Sequence, residues 1–376
     1  MAAKYKVVKE GIKSSIISGK FQVNEKIDSE SELMRLHNVS RHTVRKAVED
    51  LVRDGWLFKK QGAGTFCAER DTLPFSPPLN GKNIAVITTY FSDYIFPSII
   101  RGIEKHLSES GYQMTVFSTN NDLDQERRCL ESVISQQFDG LIIEPTKSAL
   151  PNPNINYYLD LERLNIPYLM INAYYEELEP PHLIADDFEG GYLQAEHLLN
   201  LNHRGIIGFF KNDDAQGSKR MKGFIQAHRD KKIPVKPDSI IAYSTEDKNV
   251  KPMIELKERL KSISSVPTAI VCYNDELALK LLDALREHKL TVPDDISIIG
   301  FDDSILSLAS EVKFTTISHP KEKMGLQAAE LIHQMIINKN KVKLTVMESV
   351  TYKTKLIIRN STAPYASKVN TSIQSI

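Results

Sequence analysis

Residues 40–66 read SRHTVRKAVEDLVRDGWLFKKQGAGTF, and the order of residue types in this stretch decides the character of the first domain. Ser40 is a good helix N-cap, and Val44, Ala47, Val48, Leu51 and Val52 follow on one helical face. Burying that face leaves Arg41, His42, Thr43, Arg45 and Lys46 on or beside the open side, near the helix start. A helix furnished in this way fits the major groove of B-DNA, where an arginine can engage two acceptors of one guanine. Gly55 then interrupts the pattern, Trp56-Leu57-Phe58 is a short apolar run, and Gln61-Gly62-Ala63-Gly64 supplies a tight turn, so a two-stranded wing is expected. Double-stranded DNA is the partner these residues imply.

Working outward, Lys4 to Ile17 has the spacing of an amphipathic helix buried through Val7, Val8, Ile12, Ile16 and Ile17. Ser29 with Glu32 forms a capping box that opens a short helix through Leu33, Met34 and Leu36. His37-Asn38-Val39 turns the chain into Ser40. Helix, turn and capped helix at this spacing make a helix-turn-helix unit.

Three ordered blocks, Ile27–Met34, Val39–Ala47 and Gly62–Phe66, resemble the winged-helix reader head of the gluconate-repressor (GntR) family. Asp28 stands where many relatives carry proline, and it remains able to cap. The resemblance implies that the second and third helices and the wing tip meet the operator. By position it makes Glu30, Arg41, His42, Thr43, Arg45 and Gln61 base or near-base contacts, with Gly62 at the wing tip. Lys4 and Ser29 fall nearer the phosphates. Arg35, Arg53 and Lys46 read more simply as phosphate or solvent contacts, and Trp56 as core.

Whole-chain charge conceals this arrangement, because 48 basic residues balance 48 acidic ones. Residues 1–70 alone hold 14 Lys and Arg against 9 Asp and Glu, a net of +5, so the remainder is −5. A basic small domain joined to an acidic larger one suits phosphate binding at one end only. At 376 residues the chain has room for two or three domains. Residues 71–82, with Pro74, Pro77 and Pro78, read as a semi-extended linker between residues 1–70 and an effector domain over 83–360. The Ser-, Thr- and Asn-rich residues 361–376 read as a disordered tail. No apolar run approaches the roughly 20 residues that span a bilayer. The three cysteines, Cys67, Cys129 and Cys272, lack metal or disulfide spacing, so reduced thiols, a cytoplasmic location and no metal or cofactor are expected.

From Ile84 onward, short apolar β-rich runs alternate with amphipathic stretches. The runs lie at 84–90, 114–118, 140–143, 168–172, 206–210, 240–243, 269–273 and 296–300, with helical patterns at 98–110, 124–137, 187–201 and 276–288. Strands buried on both faces and joined by helices form parallel sheets in an α/β fold, here in two lobes with a ligand cleft at the strand carboxyl ends. The segments Phe138–Ile143, Asp187–Gly191, Leu201–Arg204, Arg220–Phe224, Pro267–Ile270, Asn274-Asp275, Val292–Asp303 and Thr315–Ile317 resemble the periplasmic-binding-protein-like effector domain of the lactose/galactose repressor family.

A head of one family on a sensor of another, together with Thr88–Gly102 and Glu144–Ser148, resembles the bacterial arabinose-responsive repressors as a group. That resemblance implies a homodimer on near-palindromic operators of arabinose-use genes, with L-arabinose as the effector that releases it and no membrane involvement. In lactose-repressor relatives a hinge helix in the minor groove carries part of the coupling; the proline-rich linker here offers no matching helix.

A sugar presents hydroxyls that donate and accept together, besides apolar C–H faces. Carboxylates, amides and arginine meet the former, and aromatics the latter. Candidates at strand ends are Tyr94, Phe96, Glu144, Asn172, Arg220, Asn274, Asp302 and His319. The resemblance places Arg220 and Asp302 on opposite sides of the hydroxyls, while Glu144 and Asn172 replace commoner family residues and bear on which sugar fits. Plainer readings stand beside these. Asp302-Asp303 can simply turn the chain, Asn274 can be a helix cap (as Asp275 is expected to be), Arg220 can be solvated, and His319 can be a loop residue. Tyr90 and Tyr94 can be core or dimer-face aromatics. Two rivals to a sugar-responsive repressor remain: the same architecture answering another sugar or a sugar phosphate, and an enzyme carrying a DNA-binding head. The enzyme needs a nucleophile elbow or a cofactor lysine in a recognisable setting, and neither G-x-S-x-G nor a P-loop occurs.

Overall fold

The computed structural model describes residues 4–17, 20–22, 24–53, 55–60, 63–68, 82–91, 94–261, 266–338 and 349–366. It divides into two compact units, Met1–Pro78 and Leu79–Ile376. The expected linker at 71–82 lies outside the described residues except for Lys82, as do Gln61 and Gly62 of the wing turn.

The first unit contains α1 (Lys4–Ile17), α2 (Glu30–His37), α3 (Arg41–Arg53), β1 (Leu57–Lys60) and β2 (Gly64–Cys67). The capping box forms as expected: Ser29 accepts from the Glu32 amide, and Glu32 accepts from the Ser29 amide at 2.7 Å. Ser40 Oγ lies 3.4 Å from the Thr43 amide at the start of α3. Val8, Ile12, Leu33, Val44, Ala47, Val48, Leu51 and Leu57 share one core, with Trp56 packed at its margin. Val7 departs from expectation. It lies one residue, about 100° of helix, from buried Val8 and is 57% exposed. β1 and β2 pair antiparallel as the wing, with Phe58 stacked on Phe66.

The second unit has two lobes. The first holds β3 (Asn83–Thr88), α4 (Phe96–Glu109), β4 (Gln113–Ser118), α5 (Leu123–Ser135), β5 (Gly140–Ile143), α6 (Ile155–Arg163), β6 (Tyr168–Ile171) and β7 (His182–Ala185). The chain then builds the second lobe: α7 (Asp187–Asn200), β8 (Ile206–Lys211), α8 (Ala215–Asp230), β9 (Ile240–Tyr243), α9 (Lys251–Leu260), β10 (Ala269–Val271), α10 (Asp275–Glu287), β11 (Ser297–Ile299), α11 (Leu306–Ala309) and β12 (Thr316–Ile317). It returns through α12 (Lys321–Ile337) and β13 (Val350–Tyr352) to the first lobe and ends on β14 (Leu356–Ile357), which pairs antiparallel with β12. The first sheet runs β13-β7-β6-β5-β3-β4 and the second β11-β10-β8-β9, with every described pairing in both parallel.

Each apolar run expected as a strand is one, because strands buried on both faces read as continuous hydrophobic stretches. The short β7, β12, β13 and β14 were not anticipated; they lie beside the crossings between lobes, where two to four residues carry no usable period. Residues 361–366, expected as the start of a disordered tail, instead pack on the second lobe. Ser361 is fully buried, its carbonyl accepts from the Ile298 amide at 2.8 Å, and the Tyr365 amide donates to the Leu201 carbonyl at 2.8 Å. Residues 367–376 lie outside the described residues.

Candidate functional site

In the first unit the α3 N-terminus presents Arg41, His42 and Arg45 to solvent, with Thr43 half-buried against Ser40. Glu30, from α2, lies between the two arginines, 3.0 Å from Arg45 Nε and 3.4 Å from Arg41 Nε. Glu30 therefore orients the arginines in the free protein, a role that the sequence reading, which made it a contact, did not include. Ser29 is occupied by its cap, although its exposed position leaves it near the same face. Lys4 is exposed on the first turn of α1, and Lys46 instead packs its ammonium 4.4 Å from the Tyr5 ring. Gln61 and Gly62 cannot be placed because they lie outside the described residues.

In the second unit a cavity of about 530 Å³ opens between the lobes, within the size range of small-molecule sites. All eight cleft residues expected from the sequence line it: Tyr94, Phe96, Glu144, Asn172, Arg220, Asn274, Asp302 and His319. From the first lobe, Glu144 follows β5 and accepts from the Thr89 amide at 3.0 Å, while Asn172 follows β6 and donates to Glu144 at 2.8 Å. With its amide so fixed, Asn172 offers Oδ1 to His319 Nε2 at 3.1 Å, which makes Nε2 the protonated nitrogen. His319 Nδ1 is then a bare acceptor, buried and without a hydrogen-bond partner among the described residues. Burial pushes the His319 pKa down to about 4, with Lys321 and Arg220 adding to the shift against the pull of Asp302, so the ring is neutral. Burial also raises the Glu144 carboxyl, against its bonds to Thr89 and Asn172.

The second lobe supplies the charged centre. Gly191 and Gly223 let α7 and α8 approach so closely that a Cβ on either would meet backbone 2.2 or 2.1 Å away. This contact sets Arg220 against Asp187 at 2.8 Å and under the Phe301 ring, with Nη1 on the Tyr273 carbonyl at 2.6 Å. Burial opposes the Arg220 charge, but Asp187 and Asp302 more than offset it and raise the pKa. Asp187 is pushed up to about 6 by burial despite Arg220. Asp302 does not face Arg220 across the cleft as expected: both belong to the second lobe, with Arg220 Nη2 3.6 Å from Asp302 Oδ1. That oxygen accepts no hydrogen bond from the described residues.

Tyr94 closes the centre from the first lobe. Its hydroxyl lies 2.6 Å from Asp302 Oδ2 and 2.9 Å from the Phe301 carbonyl, and accepts from the Asp275 amide at 3.1 Å. Tyr94 is thus an interlobe contact whose ring also packs against the first-lobe core. Phe96 is not at a strand end; it is the first residue of α4, buried, with Pro97 behind it. Asn274, rather than Asp275, caps α10, its Oδ1 accepting from the Leu277 amide at 2.9 Å. Asp275 is buried and bonded to Ser304 and Thr316, and burial lifts its pKa to about 7 against those bonds.

The sequence reading missed Asn121, Asp187, Lys211, Asp214 and Lys248 on the cleft wall. Asp214 ties Lys211 at 3.0 Å to the Tyr273 hydroxyl at 2.8 Å. Its signal was available, because Asn212-Asp213-Asp214 follows an apolar strand, where α/β folds place ligand groups. Asn121 and Lys248 had none: they meet Thr245 and Tyr90 only because the lobes come together.

A winged head and a two-lobed cleft lined by bonded acids and amides define a DNA-binding regulator with a small-molecule sensor. The family models agree: residues 4–67 match the bacterial regulatory proteins of the gntR family, and residues 195–362 match a periplasmic binding protein-like domain. The chain is 60% identical over 96% of its length to the arabinose metabolism transcriptional repressor of Halalkalibacterium halodurans, covering 97% of that protein. It is 49% identical over 96% of its length to the one from Geobacillus stearothermophilus, again covering 97%. Among solved structures, a LacI family transcriptional regulator from Enterococcus faecium with bound ribose matches with a TM-score of 0.65 and 27% identity, over 76% of this chain and 100% of that one. The chain belongs to the family of arabinose metabolism transcriptional repressors. It is a transcriptional regulator. Among the described residues, no helix is long and apolar enough to cross a membrane.

Proposed function

We propose that this repressor acts as a cytoplasmic homodimer on near-palindromic operators of arabinose-use genes and is released by L-arabinose. The observation that carries the sugar reading is the pair of buried acceptors in the cleft that take no hydrogen bond from the described residues, Asp302 Oδ1, with Arg220 Nη2 3.6 Å away, and His319 Nδ1. Beside them stand the donors of Arg220 and the amide of Asn172, each oriented by a protein partner. A polyol hydroxyl, which donates and accepts at once, satisfies such a set, and Tyr94 and Phe96 offer apolar cover. In the head, Arg41, His42, Thr43, Arg45, Glu30, Gln61 and Gly62 meet bases or lie beside them, and Lys4 and Ser29 meet phosphates. Three free, buried thiols suit a reducing compartment.

Release is a population shift. Sugar favours closed lobes, and the closed dimer holds its heads off the half-site spacing. By reciprocity, operator binding lowers sugar affinity by the same factor. Emptying a nearly full operator takes a differential affinity of about 5 kcal/mol. Calorimetric titration with L-arabinose, D-xylose, D-ribose, D-galactose and D-glucose tests the effector. Heat from L-arabinose alone is expected, while heat from another sugar with none from L-arabinose overturns it. Silence from all five points to a phosphorylated sugar or a protein partner.

A further inference from the structure

The turn that carries Asp302 is held from outside the cleft. Asp302 and Asp303 are consecutive non-glycine residues in the left-handed region, with φ of 90° and 45°. Such backbone is unfavourable and persists only where its surroundings over-determine it. Two successive left-handed residues also turn their carbonyls to one side and bring two partial negative charges together. Lys321 meets both, its ammonium donating to the Asp302 carbonyl at 2.5 Å and the Asp303 carbonyl at 2.8 Å. The other contacts on the turn backbone and on Asp303 come from the second lobe and its β12–β14 pair, while the Asp302 carboxylate itself is also met by the first-lobe Tyr94 hydroxyl at 2.6 Å. The Asp302 amide donates to the Ile317 carbonyl at 2.8 Å, the Asp303 amide lies 3.3 Å from Thr316 Oγ1, and Arg359 reaches the Asp303 carboxylate at 2.6 Å.

Among the contacts on the turn backbone, Lys321 differs in where it stands. It is the first residue of α12, a helix whose buried face, through Met324, Ala328 and Ile332, belongs to the core of the first lobe. It is not among the residues that line the cavity. We infer that Lys321 is a positioning residue: its ammonium holds the left-handed turn that aims the Asp302 carboxylate into the cleft, and it ties that aim to the first lobe. The inference rests on the cleft being the sugar site. It makes the orientation of one second-lobe carboxylate depend on a first-lobe helix, so Asp302 is correctly placed only when the two lobes are in register.

The test is a double-mutant cycle on the full-length protein, with Lys321→Met, Asp302→Asn and both, each titrated calorimetrically with L-arabinose. Lys321→Met is expected to weaken sugar binding roughly tenfold in the wild-type background and by less than about threefold beside Asp302→Asn, where no carboxylate remains to aim. Lys321→Arg, which keeps charge and donors, should recover most of the affinity. An equal loss in both backgrounds means general loosening and overturns the assignment. A crystal structure of unliganded Lys321→Met supplies the second readout. Residues 302 and 303 should leave the left-handed region, and an unchanged turn sinks the proposal. This holds whichever sugar binds, whereas wild-type silence with L-arabinose counts against the effector reading alone.

Discussion

The arginines of the two units show opposite uses of one side chain. Arg41 and Arg45 on the recognition helix keep 58% and 57% of their side-chain surface exposed and share a single carboxylate, Glu30. Arg220 in the cleft keeps 5% and is held by Asp187, the Tyr273 carbonyl, the Phe301 ring and, more loosely, Asp302. An exposed ion pair is worth about 0–1 kcal/mol, so the head gives up its pairing readily when phosphates and base edges arrive. A buried charge that loses its partner has no solvent to fall back on. The head is therefore built for exchange of partners, and the cleft for fixed geometry.

The contrast is tested most severely at Arg220. Arg220→Met leaves the Asp187 and Asp302 carboxylates without their cation and should cost about 3–5 kcal/mol in chemical denaturation, with sugar binding lost. A loss below about 1 kcal/mol would mean that the cleft charge is no more committed than those of the head.

Buried charge should also show in pH dependence. Asp275 has a folded pKa of about 7, above the roughly 3.9 of an unfolded aspartate, so the native state holds that proton more tightly. Its contribution is present in acid and is lost as pH rises from about 4 to about 7. His319 and Asp187 titrate in overlapping ranges, so the comparison is with Asp275→Asn. The stability of the wild type relative to this variant should fall across that window and level off above it, and a flat difference curve would remove Asp275 as its source.

The smallest effects belong to the exposed face. Arg45→Ala should weaken operator binding by roughly 1–3 kcal/mol and relax preference at one base pair, with the fold intact. Uniform weakening across all sequences would instead assign Arg45 to the backbone. That outcome is the one expected of Lys4→Ala, which should also reduce the salt slope by about one.

The elements with a clear period were readable. The buried stripe of α3 and the Ser29 capping box announce themselves within a single turn of sequence, as do the double-sided strands such as Gly140–Ile143. Candidates such as Glu144, Asn172, Asn274 and Asp302 share a wall because strand carboxyl ends converge in any parallel sheet, whereas Phe96 and Arg220, read as strand-end residues, reach it from helices α4 and α8. Less legible were groups whose partners are distant in sequence. Tyr94 read as an ambiguous loop aromatic, yet it meets residues 181 to 208 positions away. Asp275 read as a cap, but its place in the core follows from Ser304 and Thr316, which no local pattern links to it. Val7 failed for a local reason, since it falls beyond the edge of the α1 stripe that Val8 and Ile12 bury.

Hydrophobic period, capping residues and turn residues are local properties, and by themselves they determined that this chain folds as a winged head and a two-lobed α/β sensor. They also determined which residue types stand at the strand ends. What each charged side chain does there was decided by tertiary structure. Whether Arg220 faces a ligand or a protein carboxylate, which nitrogen of His319 carries the proton, and what holds Asp302 in a left-handed turn depend on partners brought within about 3 Å from other elements. Hydrogen bonds act only over such distances, and two packed lobes create them between residues that the chain keeps far apart.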